Sequence, residues 1–335
     1  MSMTSIRQIN GGEELQGDVR ALLNIVGKDK EAFFNEILNW LLAEAPKDFS
    51  PEILRSSKLV KLVSSAINVN NELDTLAKAP HISFIEENGE QFTLKTSNTA
   101  ANWDGTLEYS TNTQDWTTWN GSEISSSKNG KLYLRGTNNT RISYVTKSFK
   151  LTSGKRIYCV GNIENLLDHP TVTIGKHPTM ANDCYMAMFQ GCDSLITAPS
   201  LPASALTSQC YVSMFHGCTS LMTAPELPAM TLANYCYSQM FHGCTSLTTA
   251  PELPATTLVD GCYNQMFQGC TSLTTAPSQL PAAKLANRCY SMMFYQCTSL
   301  TNTIHCPVSI SNDSNRLNAN TNNLPAKTAT VVYDL

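Results

Sequence analysis

One nonapeptide constrains this chain more than any other feature. Cys-Tyr-x-x-Met-Phe-x-Gly-Cys occupies 184–192, 210–218, 236–244 and 262–270, and returns at 289–297 with Gln296 in the glycine position. Successive starts lie 26, 26, 26 and 27 residues apart. Between copies runs Ser-Leu-x-Thr-Ala-Pro-x-Leu-Pro-Ala, complete at 246–255. A single unit of this size cannot bury its own Leu, Met and Phe, so such a chain folds by stacking one unit on the next.

Each unit reads as a short helix followed by an extended stretch. Cys236, Met240 and Cys244 stand at i, i+4 and i+8, one face of a helix, with Phe241 beside them. Gly243 falls at the helix end, where a left-handed residue costs glycine least. Leu247 and the threonines after it form the extended part, which Pro251 and Pro254 terminate because proline donates no hydrogen bond to a ladder. One helix and one or two strand-like segments per unit fall in the leucine-rich-repeat window of roughly 20–29 residues. The degenerate stretch His177–Asp183 reads as a cap before the first copy. Ile304 to Ile310 reads as a last strand, and Val331, Val332 and Tyr333 as a returning one.

Composition divides the rest. Six charges (Asp193, Glu226, Glu252, Asp260, Lys284, Arg288) lie between 184 and 300, whereas residues 1–80 hold 20 charged side chains. Leu15, Val19, Leu22 and Val26, then Phe34, Leu38 and Leu42, then Leu54, Leu59 and Leu62 form three helical stripes, the last behind a Ser50 N-cap and Pro51. Residues 81–150 show period-two alternation at Phe92, Leu94 and Leu132, Leu134, with Asn88-Gly89 and Asn129-Gly130 as hairpin signals. Ser110, Asn112 and Trp116 partly resemble the Asp-box hairpin of sialidases, which carries no catalysis. The expected fold is α+β and multidomain: a small helical anchoring module at 1–80, an immunoglobulin-like β-sandwich at 81–155, and a leucine-rich-repeat solenoid at 156–335 with five repeats across 184–310 and caps.

A net charge of −4 without a basic stripe argues against nucleic acid. No run reaches the ~18 apolar residues of a membrane span. Met1 to Gln16 is polar, carries Glu13 and Glu14, and lacks the layout of a secretory signal. The twelve cysteines read as buried free thiols acting as small hydrophobes; cross-column disulfides and metal binding are the weaker alternatives. No phosphate loop, nucleophile elbow or His-x-x-x-His is present, so no catalytic residue, metal or cofactor is expected.

The repeat, the lead-in Cys159 to Leu167 and the segment Leu107 to Gly136 resemble BspA-type leucine-rich-repeat proteins of gut Bacteroidetes and related phage fibre-like proteins. That resemblance implies a non-enzymatic recognition surface. With a helical amino-terminal module and no export signal, the expected role is a phage virion component: a tail or head fibre or decoration protein, assembled in the host cytoplasm. Residues 1–80 would contact other virion proteins or self-associate, and the repeats would bind a surface glycan or protein. A bacterial cell-surface adhesin and a cytoplasmic interaction scaffold are the alternatives. Candidate ligand residues are Met222, Thr248, Thr274 and Thr301 beside the buried leucines. To these add His216 and His242, which share one repeat column where a solvated face is the blander reading, and Trp119, whose blander reading is packing under a loop.

Overall fold

Alternating apolar side chains build the first sheet. Leu132 and Leu134 on β6 (Lys131–Thr137) are fully buried and pair antiparallel with Phe84 and Ile82 on β1 (Ile82–Glu86). In the computed structural model, which describes residues 72–98, 103–143, 147–314 and 330–334, these two strands are the centre of a six-stranded sheet. Its order is β4 (Thr117–Thr118), β3 (Thr106–Ser110), β6, β1, β8 (Ile157–Val160), β9 (Leu195–Thr197). A second sheet holds β5 (Ile124–Ser125), β2 (Thr93–Thr96) and β7 (Phe149–Leu151). The helical module expected at 1–80 lies outside the described residues as far as residue 71.

Turn chemistry follows the sequence. Ser110 Oγ accepts from the Thr113 N–H (2.9 Å), Asn112 Oδ1 accepts from Gln114 and Asp115 N–H, and the Trp116 indole donates to Thr113 O (3.1 Å). Together they close the β3–β4 hairpin. Asn88-Gly89 and Asn129-Gly130 also make tight turns, but neither closes the expected hairpin: the first carries the chain from β1 to β2 and the second from β5 to β6, each time from one sheet to the other. Helix α1 (Asn165–Thr173) lies against the backbone of β6 at Gly136, where any Cβ would fall 1.7 Å from Leu166 O. Only glycine permits that approach.

The repeats contain no α-helix. Every fourth residue of the nonapeptide region is left-handed: Ala187 and Gly191, Ser213 and Gly217, Gln239 and Gly243, Gln265 and Gly269, Met292 and Gln296. The residue before the first cysteine of each copy is left-handed too: Asp183, Gln209, Tyr235, Gly261 and Arg288. Each unit is therefore a run of consecutive tight turns. Half of its N–H groups close those turns, as Met240 N–H does to Tyr237 O (3.2 Å), and the alternate half donate to the next copy. Tyr235, Tyr237, Gln239, Phe241 and Gly243 donate in order to Asp260, Cys262, Asn264, Met266 and Gln268, at 2.8–3.0 Å. The same five bonds link every successive pair of copies. An α-helix would have spent these donors internally and left this part of each copy without backbone bonds to the next.

Side chains reinforce the register. Tyr185, Tyr211, Tyr237, Tyr263 and Tyr290 form one column with centroids 5.6–6.0 Å apart and near-parallel rings. Phe189, Phe215, Phe241, Phe267 and Phe294 form another at 5.5–5.6 Å. Phe149 of β7 meets Phe189 edge-on at 5.8 Å, so the sheets and the first copy share one core. Stacked aromatic pairs add about 0.5–1.5 kcal/mol each beyond their burial.

These findings overturn the expected fold class. The described chain is β-rich, and no unit supplies the helix that a leucine-rich-repeat solenoid requires. Between copies the extended segments meet only as isolated bridges, such as Thr197↔Thr223 and Thr249↔Thr275, rather than as a continuous sheet. The immunoglobulin-like sandwich is also corrected. The larger sheet continues through β8 into β9 of the first repeat, and β8 and β9 run parallel. The strand expected over Ile304 to Ile310 is β10 (Thr303–Cys306) followed by a 3-10 turn at Val308–Ile310, and β10 pairs parallel with β11 (Thr330–Tyr333).

Candidate functional site

Leu221, Leu247, Leu273 and Leu300 are fully buried, so the next residue in each copy faces outward. Met222, Thr248, Thr274 and Thr301 are exposed there, whereas Ile196, the first of the column, is buried. The strip is held by the stack. Met222 N–H donates to Ile196 O (3.0 Å), Thr274 N–H to Thr248 O (2.9 Å) and Thr301 N–H to Thr274 O (3.2 Å). The threonine hydroxyls run the same way, Thr274 Oγ1 to Thr248 O (3.1 Å) and Thr301 Oγ1 to Thr274 O (3.4 Å). The hydrogens of these two are committed to the neighbouring rung, leaving lone pairs and methyl groups for solvent, whereas the Thr248 hydroxyl makes no such bond among the described residues.

Met222 and Thr248 come together in a groove of about 490 Å³ between the second and third copies. Its walls include Leu227, Pro228, Pro251 and Pro254, and Glu226 and Glu252 line it as well. These two carboxylates occupy one column, between Ser200 and Ser278 in the copies on either side. Glu252 accepts from the Ser278 N–H (3.2 Å) and hydroxyl (3.3 Å). Glu226 faces a copy with glutamate in that place and has no such donor. In the sequence both carboxylates stand only among the six sparse charges of the repeats. The Glu-Leu-Pro shared by two adjacent copies was the signal.

His216 and His242 do not line this groove. Their rings stack in parallel at 4.5 Å, half-buried, in the column shared with Gln190, Gln268 and Tyr295. Burial lowers both pKa values below 6.5, and for His242 the neighbouring His216 adds to the effect. His242 Nδ1 and Gln268 Oε1 are buried without a hydrogen-bond partner among the described residues.

Trp119 is corrected as a ligand-facing residue. It is 2% exposed, its indole donates to Ser122 O (2.7 Å), and Phe149 meets it edge-on at 5.4 Å. Trp116 is the one nearer solvent, with the Arg135 guanidinium 4.0 Å from its ring centroid.

The cysteines do more than fill space. Those ending each nonapeptide donate Sγ–H to the phenylalanine carbonyl of the preceding copy: Cys218 to Phe189 (3.0 Å), Cys244 to Phe215 (3.1 Å), Cys270 to Phe241 (3.0 Å) and Cys297 to Phe267 (2.9 Å). Cys192 does the same to Phe149 of β7 (3.2 Å). All twelve are free and buried. Burial pushes the Cys192 thiol up to about 11 and Cys210 and Cys236 to about 12. Among the described residues no group of three His, Cys, Asp or Glu side chains is placed to hold a metal ion, and no helix is long and apolar enough to cross a membrane.

No family model matches this sequence, and no curated protein or solved structure matches it.

Proposed function

We propose that the chain is a non-enzymatic recognition protein, a phage virion component of the fibre or decoration type, whose repeats contact a host or gut surface. The observation that carries this reading is the outward strip Met222, Thr248, Thr274 and Thr301, one exposed residue per copy beside a buried leucine, with its first two members lining a groove. A regular ladder presents the same chemistry at even spacing, which suits a repetitive or extended ligand surface. The likeness of the repeat to those of BspA-type surface proteins and phage fibre-like proteins supports recognition over catalysis. Twelve buried free thiols favour assembly in a reducing cytoplasm, as a virion protein requires, over folding in an oxidising exterior.

The test is binding of the fluorescently labelled full chain to intact gut bacterial cells, alongside the double variant Thr248→Arg/Thr274→Arg. Wild-type binding and its loss in a variant of unchanged urea midpoint are expected. Equal binding by both proteins would refute the strip as the recognition surface. Antibody labelling of purified virions tests the setting, and virions without label would end the virion assignment.

A further inference from the structure

Resting on the recognition reading, we infer that the groove between the second and third copies takes a basic polypeptide segment, with lysine or arginine heads on Glu226 and Glu252 and their aliphatic stems along Met222, Leu227 and the prolines.

The argument is one of donors and acceptors. Pro228, Pro251 and Pro254 have no N–H to offer. The charged residues lining the groove are Glu226 and Glu252, whose four carboxylate oxygens accept and cannot donate. A neutral sugar leaves that negative charge uncompensated. A cationic side chain brings donors only.

Charge placement agrees. Like charges on adjacent positions destabilise a ladder, yet two glutamates follow one another in a region holding few charges, with serine in the copy before and the copy after. Ser278 holds Glu252 from one side only, and Glu226 has no hydrogen-bond or ion-pair partner among the described residues. The cation at the Met222 end, Arg156, whose Nη2 stands 3.9 Å from Met222 Sδ, is paired with Glu87 at 2.8 Å. It leaves the glutamates uncompensated. The apolar walls match the rest of such a ligand, since Lys and Arg lay their methylene stems on apolar surface and keep the charge at the rim.

The experiment measures binding of an alternating lysine–leucine heptapeptide to the full chain, with an alternating glutamate–leucine heptapeptide and a neutral hexasaccharide as the other arms. The lysine peptide is expected to bind, to weaken about tenfold in Glu226→Gln/Glu252→Gln, and to weaken further with salt. Glutamine keeps the shape of the site, and an unchanged urea midpoint confirms the fold. Equal affinity for wild type and double variant, preference for the hexasaccharide, or no binding of the lysine peptide each overturns this proposal. The cell-binding test with Thr248→Arg/Thr274→Arg uses no peptide and leaves the glutamates in place. A groove that rejects the basic peptide while the strip still binds cells therefore separates the failure of this inference from that of the recognition reading.

Discussion

Replacing Gln239 by glycine and, separately, by alanine distinguishes turn from helix by sign. Gln239 has φ 55° and sits between Tyr237 and Phe241, in the middle of a nonapeptide. Both replacements remove the same side-chain bonds, from Ser213 Oγ (3.2 Å) and to Gln265 Oε1 (2.6 Å), so their difference isolates the backbone. A left-handed residue with a Cβ costs about 1–2 kcal/mol. The greater freedom of glycine in the unfolded chain returns about 0.4–1 kcal/mol of that. Gln239→Gly is therefore expected to be more stable than Gln239→Ala by roughly 0.5–1 kcal/mol. In a helix the order reverses, with alanine ahead by about 1 kcal/mol. Urea unfolding with an m value of about 2–3 kcal/mol/M would separate the two midpoints by roughly 0.3 M. An alanine variant with the higher midpoint would refute the turn architecture, and the same pair at Gln265, φ 55°, repeats the test one copy on.

Further outcomes follow from the same geometry. Native protein near pH 8 should alkylate very slowly, because thiols raised to about 11–12 leave only about one thiolate in a thousand or fewer. After denaturation without reductant all twelve cysteines should react, and a shortfall would mean disulfides in place of the thiol–carbonyl bonds. His216 and His242 are neutral in the fold with pKa values lowered below the unfolded 6.5, so their contribution is present above about pH 6.5 and is lost as pH falls through the folded values. His216→Gln/His242→Gln, which copies the side chain of the flanking repeats, should flatten the loss of stability between about pH 6.5 and pH 5, and an unchanged acid limb would show that the pair does not titrate as described. Phe241→Ala should cost about 3–5 kcal/mol, since the ring is buried between two others, whereas exposed Thr301→Ala should stay within about 0.5 kcal/mol. Similar midpoints for those two variants would remove the aromatic column as a source of stability.

The candidate site was partly legible. Placing Met222, Thr248, Thr274 and Thr301 beside the buried leucines needed only the repeat and the two-fold alternation of extended chain. Glu226 and Glu252 were visible as letters, but their meaning came from the groove that Met222, Leu227 and the prolines build around them. Trp119 shows the opposite limit. A spacing of three says that Trp116 and Trp119 face different ways, and only the packing of Phe149 and the Ser122 carbonyl decides which one is inside.

What the sequence determined by itself is the inventory of the interior and its repeat: Cys, Tyr, Met, Phe, Cys and Leu of every copy are buried, in identical columns, because apolar groups recurring at one period have nowhere else to go. The conformation of the nine residues was settled only in the folded chain. Cys236, Met240 and Cys244 share one side of a helix and also one side of a chain that turns every four residues, and over so short a span 3.6 and 4 cannot be told apart. Neighbouring copies break the tie. Turns with left-handed corners free every second N–H for the next rung, and five backbone bonds across each junction offset the strain of the corners, which a helix would avoid at the cost of those bonds.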